Sequence, residues 1–140
     1  MPLTTFSQSF MANGSIYPCR FVSLDTSASY KVIQSTSNLA ILGISQVGTK
    51  DPPGVSGSDG YAADAGDQIQ VFLAGSRTLL TLPAAGCTAG DRLGPDNDGK
   101  GVVITPGAGT DYWVGALALA TQSGAGDVQV EVIGPYQIGT

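Results

Sequence analysis

Val128-Gln129-Val130-Glu131-Val132 is the cleanest alternation in the chain. Three valines share one face of a strand, and Gln129 and Glu131 take the other. β-branched side chains at every second position suit a pleated surface with one buried side. The turn signal Ala125-Gly126-Asp127 stands directly before it. This pairing of a turn signal with a short alternating or apolar run recurs along the whole chain.

Moving toward the N-terminus, Tyr112–Ala120 reads as a strand with Trp113, Gly115, Leu117 and Leu119 on one face. Tyr112, Val114, Ala116 and Ala118 take the other. Val102–Thr105 is a short strand ended by Pro106, and Arg92-Leu93 leads into the turn Asp96-Asn97-Asp98-Gly99. Ile69–Leu73 and Arg77–Leu82 are spaced as a hairpin closed by Ala74-Gly75-Ser76. Gly48–Gly66 is a long loop, with Pro52-Pro53 and the turn signal Asp59-Gly60 inside it. Leu39–Val47 is an apolar run suited to a buried strand, with Gly43 expected at a bulge. Tyr30–Gln34 and Arg20–Leu24 complete the set. About nine short strands with no helical pattern predict an all-β fold, a small β-barrel or β-sandwich.

Composition narrows the function. The 140 residues carry 6 basic and 11 acidic side chains, a net charge of −5, and no histidine. So few cations cannot neutralise many phosphates, which argues against nucleic acid as a partner and against a basic membrane-surface patch. The absence of histidine excludes Ser-His-Asp and Cys-His catalysis and His-rich metal sites. The longest apolar stretch, Trp113–Ala120, is far short of the ~20 residues that span a bilayer. No secretory h-region stands in residues 1–15. Charged residues are only 12% of the chain, about half the usual ~25%. Such a surface suits contact with other protein.

Residues 1–17 contain no charge and hold scattered apolar side chains: Leu3, Phe6, Phe10, Met11, Ile16 and Tyr17. They read as an extended N-terminal arm that grips a neighbour, attached to a single all-β domain over residues 18–140. On this reading, deleting residues 1–15 leaves the domain folded. Cys19 and Cys87 read as two buried, reduced thiols.

Three features invite a chemical reading. Asp96-Asn97-Asp98-Gly99-Lys100-Gly101 has part of a calcium-loop pattern, but the first and twelfth positions fall on Gly94 and Thr105. A hairpin turn explains it. Leu24-Asp25-Thr26-Ser27-Ala28 resembles the catalytic loop of retroviral-type aspartic proteases, with Ser27 where that loop has glycine. An Asx-turn between strands is the simpler account. Ala-Gly-Asp occurs at 65–67, 89–91 and 125–127, each time before a strand. Gly66, Asp67, Gly90, Asp91, Asp98, Gly99, Gly126 and Asp127 are therefore expected to be structural turn residues. No catalytic, cofactor or metal site is expected.

The order of these features is more informative than any one of them. RFVSLD, YKVI, AILGIS, AGDRLGPDNDGKGV, VGALALAT and GDVQVEV follow one another between Arg20 and Val132. In that order they resemble the small all-β capsid decoration (cement) proteins of tailed bacteriophages, over about four-fifths of the chain. The resemblance implies a non-enzymatic virion protein made in the host cytoplasm and placed on the outer surface of the head. It implies a homotrimer at local three-fold positions, with the major capsid protein as partner. Two alternatives remain: an adhesion module presenting Tyr61, Tyr112 or Trp113 to a host receptor or glycan, and a small hydrolase using Asp25.

Overall fold

The valines of the final strand are all buried, and that strand, the longest in the molecule, anchors one of two β-layers. A computed structural model describes residues 6–37, 39–49, 60–105 and 112–138. Those residues hold ten strands and no helix: β1 Ser7–Ala12, β2 Phe21–Leu24, β3 Lys31–Gln34, β4 Gly43–Ser45 and β5 Gln68–Phe72 in the first half. The second half adds β6 Arg77–Leu82, β7 Arg92–Pro95, β8 Gly101–Val103, β9 Tyr112–Ala118 and β10 Gly126–Ile138. The all-β expectation holds, and "barrel or sandwich" resolves into a combination. β1-β3-β2-β4-β5 closes a five-stranded barrel, and β6-β10-β9-β7-β8 forms a separate five-stranded sheet.

Each unit has its own apolar cluster. The barrel interior holds Phe10, Ala12, Ile16, Val22, Val32, Ile69 and Val71. The second cluster joins Leu80, Leu82, Leu93, Ala116, Val128, Val130 and Val132 to Phe21, Ile41 and Ile44 from the barrel half. Period-two alternation explains this division. On β2, Phe21 enters one cluster and its neighbour Val22 the other. The apolar run Leu39–Val47 is a strand only at β4, where Gly43, Ile44 and Ser45 are buried; Leu39, Ala40 and Val47 are exposed, so the run overstates the buried strand. Gly43 is not at a bulge: a Cβ there would lie 2.2 Å from the Phe72 carbonyl oxygen, so the glycine lets β4 and β5 approach. Likewise, a Cβ on Gly115 would lie 2.8 Å from Ile41 Cδ1 and 3.1 Å from Phe21 Cε1. Its bareness lets the barrel half pack onto β9.

Two expectations are corrected here. From Ser7 onward the extended arm is a barrel strand. β1 pairs antiparallel with β5 from Ser7↔Phe72 to Met11↔Gln68, and parallel with β3 at Met11 and Ala12. Phe10 and Ile16 face the barrel interior. The domain therefore starts well before residue 18. Secondly, β5 and β6 are not a hairpin. Gly75 takes φ +96° and its N–H donates to the Val132 carbonyl. The buried Ser76 hydroxyl both donates to and accepts from the Phe6 backbone. Residues 74–76 thus turn a corner from barrel to sheet, since Ile69 and Val71 fill one core and Leu80 and Leu82 the other.

Both thiols are free and buried. Burial, then the nearby Asp127 carboxylate, pushes the Cys19 thiol up to about 11 from an ordinary 9.0. Cys87 is raised too, chiefly by burial. Between pH 9 and 11 the unfolded chain therefore loses the Cys19 proton before the folded one does, and stability falls as pH rises. Urea midpoints measured from pH 8 to 11 are expected to decline more steeply for the native chain than for Cys19→Ala. Equal slopes would remove Cys19 from the account.

Candidate functional site

The turn residues resolve into a repeated device. At Asp64–Asp67, the Asp67 carboxylate accepts the Asp64 N–H at 3.0 Å, while Gly66 N–H donates to Ala12 and Asp67 C=O accepts from Ala12. At Thr88–Asp91 the same bonds recur: Thr88 N–H to the Asp91 carboxylate at 2.7 Å, Gly90 N–H to Ala118, and Ala118 N–H to Asp91 C=O. Gly66 and Gly90 take φ of +90° and +92°. The third copy differs. Asp127 accepts from the Thr81 hydroxyl across the β6–β10 ladder, at 2.7 Å. These aspartates close turns in two separate places.

In the Asp96–Lys100 turn the anchoring carboxylate is Asp96, which accepts the N–H groups of Asp98 and Lys100 at 2.8 and 2.9 Å. Asp98 contributes its carbonyl, which receives Arg20 and Gln34 side chains and ties the β7–β8 hairpin to the barrel. Gly99 takes φ +75°, with carbonyls 3.2 Å from where a Cβ would sit. Among the described residues no group of three His, Cys, Asp or Glu side chains could hold a metal ion. We predict that Asp96→Ala costs about 1 kcal/mol, as loss of a capping carboxylate does. Gly99→Val costs more and Asp98→Ala almost nothing. Chemical denaturation with and without calcium checks this; a calcium-dependent difference would reverse the turn assignment.

Asp25 sits in an Asx-turn. Its carboxylate accepts the Ser27 N–H at 2.9 Å, the Ser27 hydroxyl at 2.7 Å and the Asn13 side-chain amide. The Ser27 backbone bond first, then Asn13, holds its carboxyl below the usual range. It is only partly covered by neighbouring residues. A shared-proton carboxylate pair requires the opposite shift on one member. The proposed aromatic platform also disperses. Tyr61 stacks on Tyr17 with centroids 4.5 Å apart, and Arg20 lies over the Tyr17 ring. Trp113 packs against the second core. Tyr112 lines a separate cleft of about 310 Å³ with Asp96 and Val103.

Of the six arm residues, Phe10 and Ile16 are core, while Phe6, Met11 and Tyr17 are exposed. Leu3 lies outside the described residues, as does the proline pair of the 48–66 loop.

A large apolar opening among the described residues takes in Leu24, Asp25, Thr26 and Ala28 of the protease-like loop. Only Met11 and Ala12 of β1 pair with β3, so β1 over Ser7–Phe10 has a strand on its β5 side alone. The barrel splays there into a groove of about 710 Å³ between Gln8 and Phe10 on one wall and Leu24 and Leu42 on the other. The Asp25–Tyr30 loop closes one end. Leu24 is 49% exposed and Tyr30 76%, and Tyr30 is held outward with φ +58°. That backbone is uncommon for a bulky residue and is worth noting where it presents an aromatic ring to solvent. A smaller apolar pocket of about 210 Å³ shares Leu24 and Leu42 with it and reaches Leu39. A sequence signal did exist: Tyr30 ends a run of turn-forming residues, where an aromatic has no core to enter.

No protein-family model matches this chain, and no curated protein matches it in sequence. Solved structures do match. One is the N-terminal base of the head fiber gp8.5 of bacteriophage phi29, at 17% identity and a TM-score of 0.57. The match covers 92% of this chain and 94% of that one. The two chains share a fold. At that identity the likeness speaks for architecture, and because it spans both chains nearly end to end, it includes barrel and sheet together.

Proposed function

We propose that this chain is a structural protein of a phage head, set on the outer surface, where it clamps neighbouring major capsid subunits as a homotrimer at local three-fold positions. The observation that carries the reading is the end-to-end fold likeness to a head-fiber base. The ordered sequence features resembling cement proteins support it independently. So does the surface: 12% charged residues and exposed Phe6, Leu24, Tyr30, Val47 and Tyr136 suit contact with protein. The carboxylates of Asp25, Asp67, Asp91 and Asp96 are spent on turns and that of Asp127 on the β6–β10 ladder, which fits a role without catalysis.

The mechanism follows from symmetry and mass action. A protomer that binds weakly becomes a firm clamp when three are linked, because the second and third contacts form at high effective concentration. A three-fold oligomer presents three identical patches to a three-fold site. Binding the intact shell in preference to its fragments stabilises the shell by linkage.

The test uses heads that lack this protein. Purified chain should co-sediment with them to a saturating stoichiometry and raise the temperature at which they release DNA. Failure to bind at tens of micromolar, or saturation without any change in release temperature, would overturn the clamping role.

A further inference from the structure

We propose that Asn13 is a site of spontaneous deamidation, held in check by the Asp25 carboxylate, and that its conversion to aspartate unlatches the loop that closes the barrel groove. The inference stands apart from the head reading and does not depend on it.

Deamidation begins when the backbone nitrogen of the following residue attacks the asparagine side-chain amide carbon. The chain has three asparagines, at 13, 38 and 97, followed by glycine, leucine and aspartate. Glycine carries no Cβ to hinder the attacking nitrogen, so the sequence favours Asn13. The structure adds further conditions. Asn13 is exposed, just past the end of β1. The Gly14 N–H, which must lose its proton to attack, has no hydrogen-bond partner among the described residues. A Cβ built on Gly14 would meet nothing within 4 Å, so the peptide is uncrowded. On either side the chain is anchored: Asn13 N–H donates to Val32, and Ile16 N–H donates to Ala63. Between those anchors no backbone bond to a described residue holds Gly14 or Ser15.

One contact opposes the reaction. The Asn13 side-chain amide donates to Asp25, whose carboxylate also takes the N–H and the hydroxyl of Ser27. While that bond lasts, the amide is tied to the loop between β2 and β3. It must leave Asp25 before its carbon can turn to the Gly14 nitrogen.

The step balances without an oxidant or a reductant. The Gly14 nitrogen gives its proton to solvent and bonds to Asn13 Cγ. The Cγ–Nδ2 bond breaks, and the amide group takes up a proton and leaves as ammonia. Water then opens the cyclic imide, its hydroxyl adding to one carbonyl and its proton returning to the released nitrogen. Opening at the side-chain carbonyl gives aspartate at position 13. Opening at the main-chain carbonyl gives isoaspartate, which routes the backbone through an extra methylene.

Either product changes the sign of the contact. The donor to Asp25 becomes a carboxylate, and two like charges face each other. Asp25, Thr26, Ala28 and Tyr30 line the groove, so the loop released is the one that closes its end.

The experiment ages the full chain, Asp25→Ala and Asn13→Gln at mildly alkaline pH. Peptide mass spectrometry follows the mass gain of amide to acid. In the native chain Asn13 should convert ahead of Asn38 and Asn97. Asp25→Ala should convert about fivefold faster at Asn13, the factor that one ordinary hydrogen bond represents. Asn13→Gln should gain no acid at that position. In denaturant, where the contact is absent, the native chain and Asp25→Ala should convert equally. Equal rates in the folded state overturn the inference, as does an Asn13 no faster than the other two. Asn13→Asp supplies the product directly. It should melt below the native chain at neutral pH, and the deficit should shrink below about pH 4, where carboxylates take up protons. A deficit that persists unchanged in acid would remove the like-charge contact and the latch with it. Should Asp25→Ala not fold, these melts decide together with the native chain, in which Asn13 should convert more slowly folded than in denaturant.

Discussion

Deleting residues 1–15 abolishes the cooperative unfolding transition. The deletion removes β1, which pairs with β5 from Ser7 to Met11 and is the strand through which the barrel closes. Phe10 and Ala12 leave the interior cluster. Losing a buried phenylalanine costs about 3–5 kcal/mol. The ladder bonds to β5 and β3 add about 1 kcal/mol each. Together these approach the whole net stability of a typical domain, about 5–15 kcal/mol. Deleting residues 1–5 alone spares β1 and leaves the melt in place. Circular dichroism on both truncations separates the cases. A cooperative melt of the longer deletion within a few degrees of the full chain would show that β1 is dispensable.

Phe21→Ala lowers the melting temperature by about 10–15 °C and does so in one transition. Phe21 is fully buried on β2, yet its ring belongs to the core of the second sheet. Its N–H donates to Gly99 and its C=O accepts from Ser35, so the backbone also joins the two units. The cavity left by the ring costs about 3–5 kcal/mol, and a chain of this length converts that into the stated shift. Calorimetry decides the form of the result. Two peaks, of which only one moves, would mean that barrel and sheet unfold separately.

Val128–Val132, β4 within the longer run Leu39–Val47, and the Asp96–Gly99 turn were legible because their signals are local. A period of two shows in five residues, and a carboxylate two residues before a free N–H is turn chemistry wherever it occurs. β1 was not legible. Its exposure alternates only over its last four residues, and from Ser7 to Met11 it pairs by backbone with a strand some 60 residues away. Backbone groups are the same in every residue, so such pairing leaves little mark on composition. Its lack of charge suits an arm and an edge strand equally, so composition does not separate the two.

The groove shows the same division. Leu24, Leu42 and Phe10 are unremarkable apolar residues in three separate segments, and only barrel closure sets them around one opening. By itself the sequence determined an all-β chain, the sites of its turns and the poverty of its charge, because hydrophobic alternation and Asp–Gly turn geometry act over a few residues. Tertiary structure alone decided that the chain divides into a barrel and a sheet, that β5 and β6 part company at Gly75, and that β1 leaves half an edge open. Those outcomes depend on which distant strands bury which faces, a choice that no local pattern encodes.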